Sequence, residues 1–386
     1  MDTLSRVIHS ARLIDGGHEI ADSWLVVRAG RVTARGTGDS WRDALAGSPV
    51  DEVIDAQAVG GPRAVITPGF IDIHGHGGGG AAYDDGAEAI RAARELHRAH
   101  GTTRAVISLV TASVDDLAHR VAAIADLTES DATVLGSHLE GPFLDPGHHG
   151  AHDPALLARP DPDAVARLLE AGRGTVRQVT IAPELPGAIA AIERIVDAGA
   201  AAAVGHTDAD ADAARSAFDA GATILTHAFN AMPGLHHRAP GPIGAAAADP
   251  RVILEVIADG VHLAPEVVRI AFAAAPGRIA LVTDAMAAAG SADGDYVLGA
   301  LAVRVEGAVA RLADGTIAGS TLTQDAALRT AVAAGVPLTE AVVALTSTPA
   351  RAIGRHDLGS LAVGSTADVV LLGADLHVRR VWTGRV

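Results

Sequence analysis

The middle of this chain repeats one alternation, a short apolar run followed by an Ala-rich stretch of helical period, and few folds accommodate it. Strand candidates fall at 65–73, 103–110, 133–139, 176–181, 202–205, 223–226, 252–258 and 279–283. Helices are expected at 86–100, 114–127, 162–171, 186–198, 209–220, 265–274 and 322–334. Only the connection 232–250 is too rich in Gly and Pro to show one. Eight strands with helices between them predict an α/β fold, a (β/α)8 TIM-like barrel; a doubly wound open sheet is the alternative. The two ends of the chain read differently. Segments 6–13, 24–28 and 31–35, and again 368–372 and 378–382, are β-rich and broken by Gly. They predict a small β-sandwich module formed by both termini, residues 1–64 and 357–386, around a barrel over 65–356.

The informative residues sit where those strands end. The first runs into Asp72-Ile73-His74-Gly75-His76 and the third into His138-Leu139-Glu140. The fifth reaches His206, the sixth His227, the seventh Asp259 and His262, and the eighth Asp284. In a barrel the C-terminal strand ends converge on one face, so residues far apart in sequence would line one pocket. Imidazole and carboxylate are the ligands of a catalytic divalent ion. Glu140, His206 and His227 make a three-ligand site, and His74 and His76, one residue apart on a strand, point the same way and permit a second ion. Asp284 is then placed as general base and acid. By contrast His9, His18, His97, His100, His119, His356 and His377 are assigned to helix surfaces or the small module.

Composition removes whole classes of chemistry. The 30 basic side chains against 46 acidic ones leave a net charge of −16, which argues against nucleic acid or an anionic membrane as partner. No Cys is present, so disulfides, thiolate zinc sites and cysteine nucleophiles are excluded. Every basic residue is Arg. A P-loop lysine, a pyridoxal-phosphate Schiff base and a carbamylated lysine bridging two metals are excluded with it. The start has no charged head followed by an apolar block, and no run reaches the ~18 apolar residues of a membrane span. A cytoplasmic protein is expected.

At these residues the sequence resembles the N-acetylglucosamine-6-phosphate deacetylases of the amidohydrolase superfamily. The matching stretches are Pro68-Gly69-Phe70-Ile71-Asp72, His138-Leu139-Glu140-Gly141-Pro142-Phe143, Gly205-His206-Thr207 and Thr226-His227-Ala228-Phe229-Asn230-Ala231-Met232-Pro233. Ile257-Ala258-Asp259-Gly260-Val261-His262, Leu281-Val282-Thr283-Asp284-Ala285 and Gly315-Thr316-Ile317-Ala318-Gly319-Ser320 follow in family order. The resemblance implies hydrolysis of N-acetylglucosamine 6-phosphate to glucosamine 6-phosphate and acetate, in amino-sugar catabolism and cell-wall recycling. It implies one or two divalent ions per subunit, zinc first and iron, manganese or cobalt after it, with Glu140, His206 and His227 as ligands. Asp284 is the implied proton-transfer residue. The implied substrate contacts are Ala151, His152, Asn230, Ala231, Arg238, His262, Ile317, Ala318 and Gly319. Arg238 is the first choice for the 6-phosphate, since guanidinium forks match phosphate oxygens. A homodimer is implied as well. His148 and His149 lie in a loop without an assigned role.

Other readings keep the scaffold and change the reaction. Another cyclic amidohydrolase, acting on a hydantoin, dihydropyrimidine or dipeptide, typically needs the bridging lysine that is missing here. A catalytically silent sugar-phosphate binder leaves Asp284 beside a full ligand set without purpose. A metal-free phosphosugar isomerase leaves Glu140, His206 and His227 unexplained.

Overall fold

The alternation folds as its period dictates. The computed structural model describes residues 4–384, and its central sheet has eight strands in chain order. They are β1 (Phe70–Asp72), β2 (Thr102–Leu109), β3 (Val134–Glu140), β4 (Val176–Ile181), β5 (Ala201–Val204), β6 (Ile224–Leu225), β7 (Ile253–Ile257) and β8 (Ile279–Val282). Each neighbouring pair is parallel. Strands covered on both faces need continuous apolar runs, and β2 and β3 are buried at every position. No ladder joins β1 to β8, but bonds just beyond their ends close the seam. Asp284 N–H donates to His74 O at 2.8 Å, and His76 N–H to Ala285 O at 2.7 Å. The Thr283 hydroxyl donates to Asp72 Oδ2 at 2.6 Å. The nearly closed barrel thus has its seam at the proposed site, and closure itself brings His74 and His76 to Asp284.

The crossover helices are α1 (Ala87–Ala99), α2 (Val114–Ser130), α3 (Pro162–Ala171), α4 (Ala188–Asp197), α5 (Ala211–Asp219), α6 (Gly241–Ala248) and α7 (Pro265–Ala274), with α8 (Gln324–Ala333) after β8. Helix α5 starts where Asp210 accepts the N–H groups of Asp212 and Ala213. Helix α6 corrects the reading of 232–250 as helix-free. Its Gly and Pro are confined to the first turn and to Gly244, and Ile243, Ala245 and Ala246 are buried. Proline costs little at a helix start, and burial outweighs weak propensity.

The terminal module is one continuous hydrogen-bonded sheet of seven strands drawn from both ends of the chain. It curls until residue 31, at the start of its edge strand Arg31–Thr37, bridges Thr366. Its core gathers Ile8, Leu13, Leu25, Val27, Ile66, Leu361, Val369, Leu371 and Trp382. The segment 65–73 also divides. Val65–Pro68 pairs with Arg6–Asp15 and Val369–Leu372 in this module, and only Phe70–Asp72 enters the barrel. Gly69 separates the two segments, and a Cβ there would lie 2.2 Å from Thr103 Oγ1. Three antiparallel strands after β8 were also unforeseen: Gly294–Leu298, Leu301–Glu306 and Val309–Arg311. Their buried Leu298, Val303, Val305 and Ala310 pack on Val110, Ala151, Met286 and Ala318, which sets residues 317–319 over the barrel mouth.

Candidate active site

Glu140 ends β3 with its carboxylate at the centre of five imidazoles. Oε1 faces the Nε2 atoms of His74 (3.2 Å), His206 (3.1 Å) and His227 (3.1 Å), while Oε2 faces those of His76 (3.0 Å) and His152 (3.4 Å). Asp284 Oδ1 lies 3.6 Å from His74 Nε2 and 3.4 Å from His76 Nε2. All seven side chains are buried. The turns that present them are sharp: His206, His227 and Asp284 have φ of +48°, +25° and +48°, a left-handed region that non-glycine residues seldom occupy. After Glu140 only glycine fits, because a Cβ on Gly141 (φ +87°) would lie 2.3 Å from Thr111 Oγ1.

In three of the rings the hydrogen bonds decide which nitrogen carries the proton. His206 Nδ1 lies 2.9 Å from His148 O, an acceptor only, so Nδ1 is the donor and Nε2 keeps its lone pair. That lone pair faces Glu140, and His227 Nε2 is 2.9 Å away. His74 Nδ1 likewise donates to Glu255 Oε2 at 2.9 Å, while its Nε2 is buried without a hydrogen-bond partner. Imidazole nitrogens and a carboxylate gathered at such distances form a donor set that suits a divalent ion. His152 is different. Its Nδ1 accepts the Thr111 N–H at 3.3 Å, so the proton sits on Nε2 and the ring is a donor rather than a ligand. Among the described residues, two groups have donor atoms within 4.8 Å of one another: His74, His76, Glu140 and Asp284, and Glu140, His152 and His206. His227 Nε2 lies beside the second group, 2.9 Å from His206 Nε2 and 3.1 Å from Glu140 Oε1.

The buried carboxylates and imidazoles shift one another's titration. Burial works against protonating His74, but Glu140, Glu255 and Asp284 outweigh it and hold the ring well above its usual range. The same contest pushes His76 up to about 9. Burial opposes ionisation of Asp284, yet His74 and His76 bring it down to about 2, so it is an ionised base. Burial lowers His152 to about 4, which keeps it neutral.

Above the cluster opens a cavity of about 450 Å³. Ala151, His152, Asn230, Ala231, His262, Ile317 and Gly319 line it, as do His148 and His149. Two expected contacts do not: Ala318 is buried beneath the wall, and Arg238 is exposed on the loop after Ala231. His262 donates from Nδ1 to Asp259 Oδ2 at 2.7 Å; burial lowers its pKa, but Asp259 outweighs burial and raises it, which favours the protonated ring in the cavity. His148 is turned to Asp145 Oδ2 at 2.9 Å, and His149 to His152 O at 2.9 Å. His97, assigned to a helix surface, is instead buried and donates to Gly77 O at 2.9 Å, because α1 turns this residue toward the chain beyond His76. The sequence reading also missed Glu255 and Gln178. The available signal was a carboxylate within the otherwise apolar run 253–257.

A (β/α)8 barrel with a carboxylate–imidazole cluster at its C-terminal mouth suits metal-assisted hydrolysis. The chain belongs to the Amidohydrolase family, whose description matches residues 65–383. It is 40% identical over 324 residues to an N-acetylgalactosamine-6-phosphate deacetylase of Escherichia coli O157:H7, covering 82% of this chain and 86% of that protein. With an N-acetylglucosamine-6-phosphate deacetylase of Vibrio furnissii it shares 33% identity, covering 82% and 81%. Among solved structures, a mutant N-acetyl-D-glucosamine-6-phosphate deacetylase from Mycobacterium smegmatis, in complex with N-acetyl-D-glucosamine-6-phosphate, superimposes with a TM-score of 0.91. Its identity is 42%, and 98% of each chain is covered.

Proposed function

We propose that this chain hydrolyses the N-acetyl group of N-acetylglucosamine 6-phosphate, releasing acetate and glucosamine 6-phosphate in amino-sugar catabolism. The observation that carries the reading is an ionised carboxylate, Asp284, and a neutral imidazole N–H donor, His152, on either side of the Glu140 cluster at the floor of the cavity. Amide hydrolysis needs that pair. Asp284 Oδ1 takes a proton from the attacking water, and His152 Nε2–H donates to the carbonyl oxygen as it becomes an oxyanion. Asp284 then returns the proton to the amine nitrogen as the C–N bond breaks, so acetate and a free amine leave.

A divalent ion held by Glu140, His206 and His227, with room for a second at His74 and His76, supplies Lewis acidity that acidifies water and polarises the carbonyl. We favour zinc, since imidazole and carboxylate ligands suit it. Ala151, Asn230, Ala231 and the 317–319 segment hold the sugar, and His262 and Arg238 serve the 6-phosphate. The family resemblance supports a homodimer.

The 40%-identical galactosamine-type relative favours a second substrate, the 4-epimer, on the same site. Acetate release is measured on both hexosamine 6-phosphates and on their unphosphorylated sugars, with and without a chelator. The expected result is metal-dependent release that prefers a phosphorylated sugar. No release by the metal-loaded protein from either phosphate overturns the reading.

A further inference from the structure

Glu255 sits at the centre of β7, fully buried between Leu254 and Val256. A carboxylate buried this deeply is costly unless its lone pairs are matched, and the partners it has are an amide, an imidazole and a backbone N–H. Instead three donors meet it. The Gln178 amide donates to Oε1 at 2.7 Å, while His74 Nδ1–H at 2.9 Å and the His227 backbone N–H at 3.2 Å both donate to Oε2. One carboxylate oxygen thus holds the ring of one candidate ligand and the backbone of another. The Nε2 atoms of those two residues lie 3.2 Å and 3.1 Å from the same oxygen of Glu140.

We propose that Glu255 is a positioning residue of the metal centre: it locks His74 in the Nδ1–H tautomer, seats His227, and so sets the affinity of the centre for a divalent cation. The inference rests on the reading that this cluster holds such an ion. A ring free to move its proton to Nε2 offers no lone pair to a metal, so an uncharged substitute at 255 weakens binding without touching a ligand. Loss of a carboxylate behind a ligating imidazole typically costs ~10–100-fold in affinity. Gln178 acts one step further out, orienting Glu255 from β4.

The probe is cobalt(II). Wild type, Glu255→Gln, Glu255→Asp and Gln178→Met are stripped with a chelator and titrated with cobalt, following visible absorption and heat. Thermal unfolding of the stripped proteins and ¹⁵N shifts of the His74 ring accompany the titration. We expect Glu255→Gln to bind cobalt ~10–100-fold more weakly, with a mixed His74 tautomer and a stripped-state unfolding temperature close to wild type. Glu255→Asp should recover part of the affinity. Unchanged cobalt affinity in folded Glu255→Gln overturns the inference, as does an affinity loss matched by a general fall in stripped-state stability with the His74 tautomer unchanged. Should Glu255→Gln not fold, Gln178→Met decides: a weaker affinity supports the role and an unchanged one overturns it. Wild type that binds no cobalt overturns both this inference and the metal reading. Wild type that binds cobalt but releases no acetate overturns the reaction alone.

Discussion

Asp284 combines three constraints that rarely meet in one residue: burial, a left-handed backbone at φ +48° and two imidazoles on one oxygen. Asparagine accepts that backbone almost as readily as aspartate does. Asp284→Asn is therefore expected to fold and bind metal but to lose ~10²–10⁴ in turnover, the usual worth of a positioned acid and base. Turnover near wild type in a metal-loaded variant removes Asp284 from the mechanism. The two cations assigned to the phosphate separate by placement. His262 stands in the cavity wall with its ring fixed by Asp259, whereas Arg238 is exposed. Removing a charge-assisted contact costs a few kcal/mol, so His262→Asn should shrink the preference for the phosphorylated sugar by ~10-fold or more. Arg238→Ala reports whether its loop reaches the phosphate. A selective loss on the phosphorylated sugar places it there, and equal losses on both sugars give it a structural role.

At the scale of elements, the hairpin beyond His76 is held by a helix. Gly77–Gly78 pairs with Ala81–Ala82, and His97 of α1 donates to Gly77 O. Burial brings His97 down to about 4, below the unfolded value of 6.5. The folded protein then binds fewer protons than the unfolded chain between those values. The contribution of His97 is complete above pH ~6.5 and is lost as the pH falls toward ~4, about 3 kcal/mol in all. His97→Gln keeps a donor and cannot titrate. Urea unfolding at pH 7 and pH 4.5 should show a smaller acid loss in that variant than in wild type, and an identical loss refutes the assignment. The same element shows why surface and core are hard to separate in an Ala-rich helix. The buried stripe of α1 is Ile90, Ala93, Arg94 and His97, and its polar members betray no apolar period.

Across the whole molecule, the barrel and the terminal module are joined by a buried ion pair. Arg104 of β2 is fully buried and donates to Asp368 Oδ1 at 3.1 Å, to Ala132 O at 2.6 Å and to Gly384 O at 3.2 Å. Arg104→Met leaves Asp368 without its cation and should destabilise the protein by about 3–5 kcal/mol. Arg104→Met/Asp368→Leu should recover much of that loss, because no charge is then stranded. Thermal unfolding of the three proteins checks it, and a double variant no better than the single one shows that the clamp acts through packing instead.

Period and placement are short-range properties, and the chain carried them openly. The alternation identified the barrel strands to within a few residues, and the acids and imidazoles at their ends gather in one cluster at the barrel mouth. Tertiary structure decided what depends on a distant partner. The tautomers of His74, His152 and His206 follow from Glu255, the Thr111 N–H and His148 O. The role of Glu255 follows from β4, from the segment just past β1 and from the turn after β6, none of them near it in sequence. Val65–Pro68 joined the other sheet because Arg6–Asp15 and Val369–Leu372 flank it, and α6 formed because burial overrode its composition. A residue's type and local spacing limit the chemistry it is capable of. Which proton it carries, and which sheet it joins, are set by contacts that exist only once the chain has closed on itself.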